Sequence, residues 1–279
     1  MASHRERFLA ACVQMRAGDD KAKNVARACA FVEAAAQQGA RLVVLPEVFA
    51  WRGPASRDDE IAEPLTGPTL RALGDVARRC RLTIVAGSIL ERPEGGATAA
   101  TALPWNTSTV IGEDGEVLAA YRKIHLFDVS LPGRVEVRES ARRSPGDAPV
   151  CVDTEVARLG LSVCYDLRFP ELYRALSRSG AQVLCVPSAF TFPTGAAHWD
   201  VLVRARAIEN QCYVVAPNQI GPTADGHHDY GHSSIVDPWG TVVARASDGE
   251  GVVVGEIDLA YLARVRSELP CLEHARLLA

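Results

Sequence analysis

Three polar side chains follow directly on short apolar runs. Glu47 comes after Leu42-Val43-Val44-Leu45-Pro46, Lys123 after the run that ends at Tyr121, and Cys164 after Leu159-Gly160-Leu161-Ser162-Val163. Such runs read as strands, and in open α/β sheets ligands gather beyond the carboxyl ends of strands. A thiol, a carboxylate and an ammonium collected there suit attack on an acyl carbon. Sulfur is the nucleophile, the carboxylate takes its proton, and the ammonium faces the developing oxyanion.

The surroundings of Cys164 sharpen that reading. An apolar strand runs into Cys164-Tyr165-Asp166-Leu167-Arg168, and Pro170 then starts a helix, the layout of a nucleophile elbow that lifts a reactive atom out of a sheet. A helix N-terminus and a nearby lysine are expected to lower the thiol pKa. On the residue alone the alternative stands, because a free Cys at a strand end also packs as a small hydrophobe. Glu47 is harder to read as packing, since carboxylates are rarely buried without a partner or a task. Lys123, within Tyr121-Arg122-Lys123-Ile124-His125, taken by itself reads more readily as one more surface base.

The elements that position these residues follow from periodicity. A short buried strand is expected at 8–13. Asp19 or Asp20 then caps a helix carrying Val25, Cys29, Val32 and Ala36, which Gly39 ends before a strand at 41–45. The unit repeats with a helix from Gly67-Pro68 and a strand at 82–86. Runs at 107–111 and 117–121 flank Gly112-Glu113-Asp114-Gly115 and read as a hairpin, with a second near 153–157. Further strands are expected at 159–163, 183–186, 212–216, 234–236, 242–244 and 252–257, with helices from Pro170 to Gly180 and over 196–210. Alternating early units with inserted hairpins and closing strands indicate a layered α/β sandwich with mixed sheets, in one domain over 1–279. The irregular stretches 52–64, 129–147 and 220–231 are the expected walls of a site.

Bulk composition limits the function classes. With 279 residues and 48% hydrophobic content the chain can bury a sizeable core. Thirty basic against 34 acidic residues, a net charge of -4 with no long run of either sign, give no support for nucleic-acid binding. The apolar run after the charged first seven residues is cut by Gln14 and Arg16 before it reaches a secretory core length, and no membrane-spanning run occurs. Eight scattered cysteines without a Cys-x-x-Cys pair point to a reducing, cytoplasmic setting.

Several of these segments together resemble the nitrilase superfamily of carbon–nitrogen hydrolases. They are Leu45-Pro46-Glu47, Tyr121 to Asp128, Gly160 to Leu172, Gly195 to Trp199, Arg204 to Val214 and Tyr230 to Gly240, covering nearly the whole chain. The resemblance implies a four-layer α-β-β-α sandwich, a homodimer, and a catalytic triad of Glu47, Lys123 and Cys164. It implies Glu139 as a second glutamate orienting Lys123, and no metal or organic cofactor. The Tyr165 backbone N–H would join Lys123 around the oxyanion of a small-molecule amide. Arg168 and Arg204 are candidate carboxylate partners, with Arg206 read rather as structural. Trp105 and Asn106 are candidate pocket residues, Trp105 standing where relatives commonly have Tyr and Ala196 where they often have Pro. The sequence is most similar to the subgroup of deaminated glutathione amidases and the related omega-amidases. The segment from Tyr213 to Gly221, with Gln219 and Gly221, lies nearer the former.

Other classes fit less well. His227, His228, Asp229 and His232 have spacings that could serve a metal, but they lie in a Gly-rich loop without an evident fourth ligand. A phosphatase loop needs five residues between Cys and Arg and surrounding glycines, whereas three residues and no Gly separate Cys164 from Arg168. A non-enzymatic scaffold is opposed by the intact Glu-Lys-Cys set.

Overall fold

The computed structural model describes residues 6–93, 103–133, 135–224 and 226–277. β1 (Arg7–Gln14), α1 (Lys21–Gln37) and β2 (Ala40–Val44) form the first unit. Asp20 caps α1 by accepting the Lys23 N–H at 3.0 Å, and Gly39 at φ +87° turns the chain into β2. A one-turn α2 (Asp58–Ile61) and then α3 (Pro68–Cys80) lead into β3 (Thr83–Val85), β4 (Ile89–Glu91), β5 (Trp105–Ile111) and β6 (Val117–Arg122). β5 and β6 are the expected hairpin, with Gly115 at φ +84° in its turn.

The second half contains β7 (Asp128–Leu131), β8 (Val135–Arg138), β9 (Cys151–Asp153), β10 (Arg158–Leu161), α4 (Pro170–Arg178), β11 (Val183–Cys185) and α5 (Phe192–Asn210). It closes with β12 (Tyr213–Ala216), β13 (Ile220–Pro222), β14 (His228–Tyr230), β15 (Ser234–Val236), β16 (Val242–Arg245), β17 (Gly251–Asp258), α6 (Leu259–Glu268) and α7 (Cys271–His274). α5 starts a turn earlier than the expected 196, because Pro193 near its beginning lacks an N–H that the first turn could not satisfy anyway. Two stretches read as irregular contain small hairpins, β7 with β8 and β13 with β14.

The first large sheet has the order β17-β1-β2-β3-β5-β4, with β6 also on β5. The second runs β16-β15-β12-β11-β10-β9. Each has a parallel centre, β1-β2-β3 in one and β10-β11-β12 in the other, with antiparallel strands outside, so both are mixed. Strand alternation shows the layering. In the first sheet Ala11, Val13, Val43, Ile84 and Ile111 pack with Val32 of α1 and Leu73 of α3. Their neighbours Ala10, Cys12, Leu42, Val44, Val85 and Val110 join the core of the second sheet, which also takes in Leu172 of α4 and Trp199 of α5. The result is the four-layer α-β-β-α sandwich that the resemblance implies. Among the described residues no helix is long and apolar enough to cross a membrane.

Candidate active site

Glu47 lies just past the end of β2, fixed by backbone on both sides. Its carbonyl accepts the Gln219 Nε2–H at 2.9 Å, and the next N–H, of Val48, donates to Ser88 Oγ at 2.9 Å. Val48 has φ +46°, a costly backbone state for a β-branched residue. Gly87 stands against this turn, where a Cβ would come within 2.0 Å of the Pro46 carbonyl oxygen.

Lys123 follows β6, its N–H on the Asn106 carbonyl at 2.9 Å. Its Nζ donates to Glu47 Oε1 at 2.9 Å and to Glu139 Oε2 at 2.8 Å. Asn106 bridges the same carboxylates, Nδ2 lying 2.8 Å from Glu47 Oε1 and 3.2 Å from Glu139 Oε1. Glu139, in a 3-10 turn after β8, accepts in addition the Phe127 N–H at 2.7 Å. Cys164 opens a second 3-10 turn at φ +48°, its N–H on the Pro187 carbonyl at 2.8 Å. Glu47 and the backbone of Ala189 are the nearest polar groups that act on its thiol. Glu47, Lys123, Glu139 and Cys164 are all buried.

Electrostatics here departs from the sequence expectation in one respect. The Cys164 pKa is raised well above the ordinary thiol value, first by burial and then by Glu47, and Lys123 pulls against these without reversing them. The lysine is already shared by two glutamates. Moreover, α4 begins only at Pro170, so the 3-10 turn separates its dipole from the sulfur. Burial alone would lower the Lys123 pKa, but Glu139 and Glu47 together outweigh it and hold the ammonium above its usual value. Burial likewise would raise Glu139, yet Lys123 and the Phe127 and Asn106 donors bring it below the ordinary carboxylate value.

Asp166 ties the elbow to the lysine segment. Its Oδ2 accepts from Tyr121 Oη at 2.7 Å and the Val163 N–H at 2.8 Å, and its Oδ1 from the His125 N–H at 3.1 Å. His125 Nδ1 lies 2.7 Å from the same Oδ1, and its ring stacks on Phe169 at 3.7 Å. From the other side, Arg206 donates through Nε and Nη2 to the Leu167 carbonyl, consistent with its structural reading.

Glu47, Asn106, Lys123, Glu139 and Cys164 line a cavity of about 120 Å³. The three irregular stretches contribute Arg52, Arg142, Arg143, His227 and Asp229 to its wall, as expected. Tyr165 and Arg168 line it as well. As the second residue of its 3-10 turn, Tyr165 has a backbone N–H without an intrahelical acceptor. The Arg168 guanidinium lies over Phe190 and Tyr165, with Nη1 3.2 Å from His198 Nδ1, and pairs with no carboxylate among the described residues. Arg52 pairs with Asp229 and Arg143 with Asp58, at 2.7 and 2.8 Å.

Two expected pocket residues lie elsewhere. Trp105 and Asn106 are strand neighbours and point to opposite faces. Asn106 faces the cavity, and the Trp105 ring packs under Arg122 at 3.9 Å. Arg204 on α5 is turned to the Gly240 carbonyl, 2.8 Å from Nε. Ala196 is exposed outside the cavity. The histidine cluster does not converge: Asp229 is held by Arg52, His228 Nδ1 meets the Asp229 carbonyl, and His232 stacks on Tyr230. The anchoring of Glu47 by Gln219 and Ser88, and the bridge at Asp166, were not foreseen. Only Asp166 carried a signal, its place inside the elbow motif.

Comparison with known proteins agrees with this geometry. The family model described as "Carbon-nitrogen hydrolase" matches residues 9–267. The chain is 44% identical to a deaminated glutathione amidase of Synechocystis over 269 residues, 96% of this chain and 97% of that one. It is 40% identical to the human omega-amidase NIT2, again over 269 residues, covering 96% and 95%. The crystal structure of the C. elegans NitFhit protein superposes with a TM-score of 0.89 at 40% identity, over 99% of this chain and 66% of that chain.

Proposed function

Because the chain belongs to the carbon-nitrogen hydrolase family, of the nitrilase superfamily, and is an amidase acting on C–N bonds other than peptide bonds, we propose that its substrate is deaminated glutathione, cleaved through a thioester on Cys164. The observation that carries the substrate class is Arg168. It is an arginine in the cavity wall whose charge no protein carboxylate takes up among the described residues, and guanidinium binds carboxylates in two-pronged fashion. In deaminated glutathione the acyl part ends in a 2-oxo carboxylate.

In this reading Glu47 takes the proton of the Cys164 thiol as sulfur attacks the amide carbon. The raised thiol pKa makes a base necessary, and Glu47 is a carboxylate that acts directly on this thiol. Two of the three Lys123 N–H donors hold Glu47 and Glu139, leaving the third, with the Tyr165 N–H, for the oxyanion. The C–N bond breaks as Glu47 returns the proton to nitrogen, and the amine leaves. Glu47 then deprotonates a water that opens the thioester, giving the carboxylic acid and regenerating the thiol. Every proton transfer is covered by these side chains.

A second reading, omega-amidase action on 2-oxoglutaramate, rests on the NIT2 similarity and on the same 2-oxo acyl group, with ammonia leaving instead of cysteinylglycine. Purified protein is to be assayed on both compounds and on an uncharged amide. Cys164→Ala and Glu47→Gln should abolish turnover, with the acyl adduct trapped on sulfur in the latter. Arg168→Met should lower kcat/KM on the 2-oxo substrates roughly a hundredfold while sparing the uncharged amide. Full activity of Cys164→Ala, or equal effects of Arg168→Met on charged and uncharged amides, refutes the assignment.

The whole chain acts as one catalytic unit in this reading, in a reducing cytoplasm that suits its eight free cysteines. It works as a homodimer through the exposed Val201 and Ile208 on α5 beside Trp239, which is 57% exposed. Light scattering on Ile208→Glu, monomeric against a dimeric parent, tests that surface.

A further inference from the structure

Beside the catalytic cavity, and sharing Thr191 and His227 with it, lies an open hollow of about 410 Å³. Its other walls include Val135, Phe192, Pro193 and His228. Phe192 opens α5 with 49% of its surface in solvent. Its ring meets His228 at 5.6 Å and 88° and Tyr230 at 5.8 Å and 68°. Two edge contacts therefore hold a large apolar ring at the rim of the mouth. An aromatic surface kept in place yet half uncovered is suited to contact with a ligand.

A bound amide has two sides. In the function proposed above, on which this inference rests, the acyl side reaches Arg168, in the inner wall. The nitrogen side must then point away from that wall, and Thr191 and His227 border both the inner and the outer space. We propose that the outer hollow is the leaving-group subsite. It takes an amine of dipeptide size, with a sulfur-bearing or apolar side chain against Phe192 and amide or carboxylate groups at the imidazoles of His227 and His228. Sulfur packs favourably on aromatic rings, which suits cysteinylglycine. When the C–N bond breaks, nitrogen gains the proton that Glu47 took from Cys164 and the free amine departs through this hollow, so water can enter. Ammonia needs no such space, and the subsite therefore separates substrates that share one acyl group.

The test compares wild type, Phe192→Ala and Phe192→Leu on deaminated glutathione and on 2-oxoglutaramate. Phe192→Ala should lower kcat/KM on deaminated glutathione about tenfold, mainly through KM, with Phe192→Leu between it and wild type. Turnover of 2-oxoglutaramate should stay within about twofold, which also certifies that the variants fold. An equal loss on both substrates, no loss on deaminated glutathione, or a wild type active only on 2-oxoglutaramate overturns the subsite and leaves the 2-oxo amidase reading in place. A wild type inactive on both overturns that reading, and the proposed occupant with it.

Discussion

Replacing Asp166 by Asn removes one charge and keeps the shape, so it isolates what the carboxylate does. Four donors converge on its two oxygens: Tyr121 Oη and the Val163 N–H on one, the His125 N–H and Nδ1 on the other. An amide offers one accepting oxygen and one NH2. Whichever way it turns, the NH2 faces one side-chain group that can adapt, the Tyr121 hydroxyl by rotating or His125 by changing tautomer, and one backbone N–H that cannot. Asp166 is fully buried, so that N–H finds no water. One orphaned buried donor together with the lost charge assistance costs about 3 kcal/mol, which lowers Tm by roughly 6 to 12 °C. The strain falls between the Cys164 elbow and the Lys123 segment. A displacement near 1 Å there should reduce kcat about a hundredfold with a smaller effect on KM. Thermal unfolding by circular dichroism and steady-state kinetics on the preferred amide read both quantities. A Tm within about 2 °C of wild type together with kcat within about threefold would refute the bridging role.

Three further outcomes follow from the same site. The raised Cys164 pKa requires a resting thiol, so ultraviolet thiolate absorbance, taken against Cys164→Ser, should be absent at neutrality and still absent at the ordinary thiol value of 9.0; a thiolate band near neutral pH contradicts this. Because the Glu139 pKa is lowered by folding, its stabilisation is fully present above the ordinary value of 4.5 and is lost as pH falls through the lower folded value. Urea midpoints of wild type and Glu139→Gln should therefore differ most at neutral pH and converge in acid, and a constant offset across that range speaks against the Lys123 pairing. Gly87→Ala sets a Cβ 2.0 Å from the Pro46 carbonyl and forces φ +46° on an L side chain, a backbone cost of about 1–2 kcal/mol before any clash is relieved. It should lower both Tm and kcat, and normal kinetics would show that the turn before Glu47 tolerates movement.

The three polar residues at strand ends were legible because the apolar runs of β2, β6 and β10 stop where the sheets meet the site, a local fact of composition. What supports them is not local. Gln219 and Glu47 lie 172 positions apart, and Asp166 and His125 lie 41 apart, so no spacing rule connects them. The β7 and β8 strands read as irregular even though Asp128-Val129-Ser130-Leu131 and Val135-Glu136-Val137-Arg138 alternate polar with apolar, because each run is only four residues long and the small hairpin they form is largely exposed and covers little core. Trp105 was misplaced for a different reason. Strand alternation allows only one of Trp105 and Asn106 to face the cavity, and composition does not say which. The thiol pKa depends on how deeply the sulfur is buried and on the charges of Glu47 and Lys123 around it, which no motif records.

That charge arrangement gives the two glutamates different work within the proposed mechanism. Glu139 is held by Lys123, Asn106 and the Phe127 N–H, donors that favour its ionised form, and it keeps the ammonium charged throughout. Glu47 receives both Asn106 and Lys123 on Oε1, which leaves a carboxylate oxygen for the sulfur proton. Moving that proton from Cys164 to Glu47 exchanges a carboxylate for a thiolate and adds no net charge to a buried space, where an extra unpaired ion would cost several kcal/mol. The negative charge only relocates, from the glutamate to the sulfur and then to the oxyanion, and Lys123 lies within reach of each position. A thiol with a raised pKa is thus compatible with rapid attack, provided that its base is as deeply buried as it is, and Glu47 satisfies that condition.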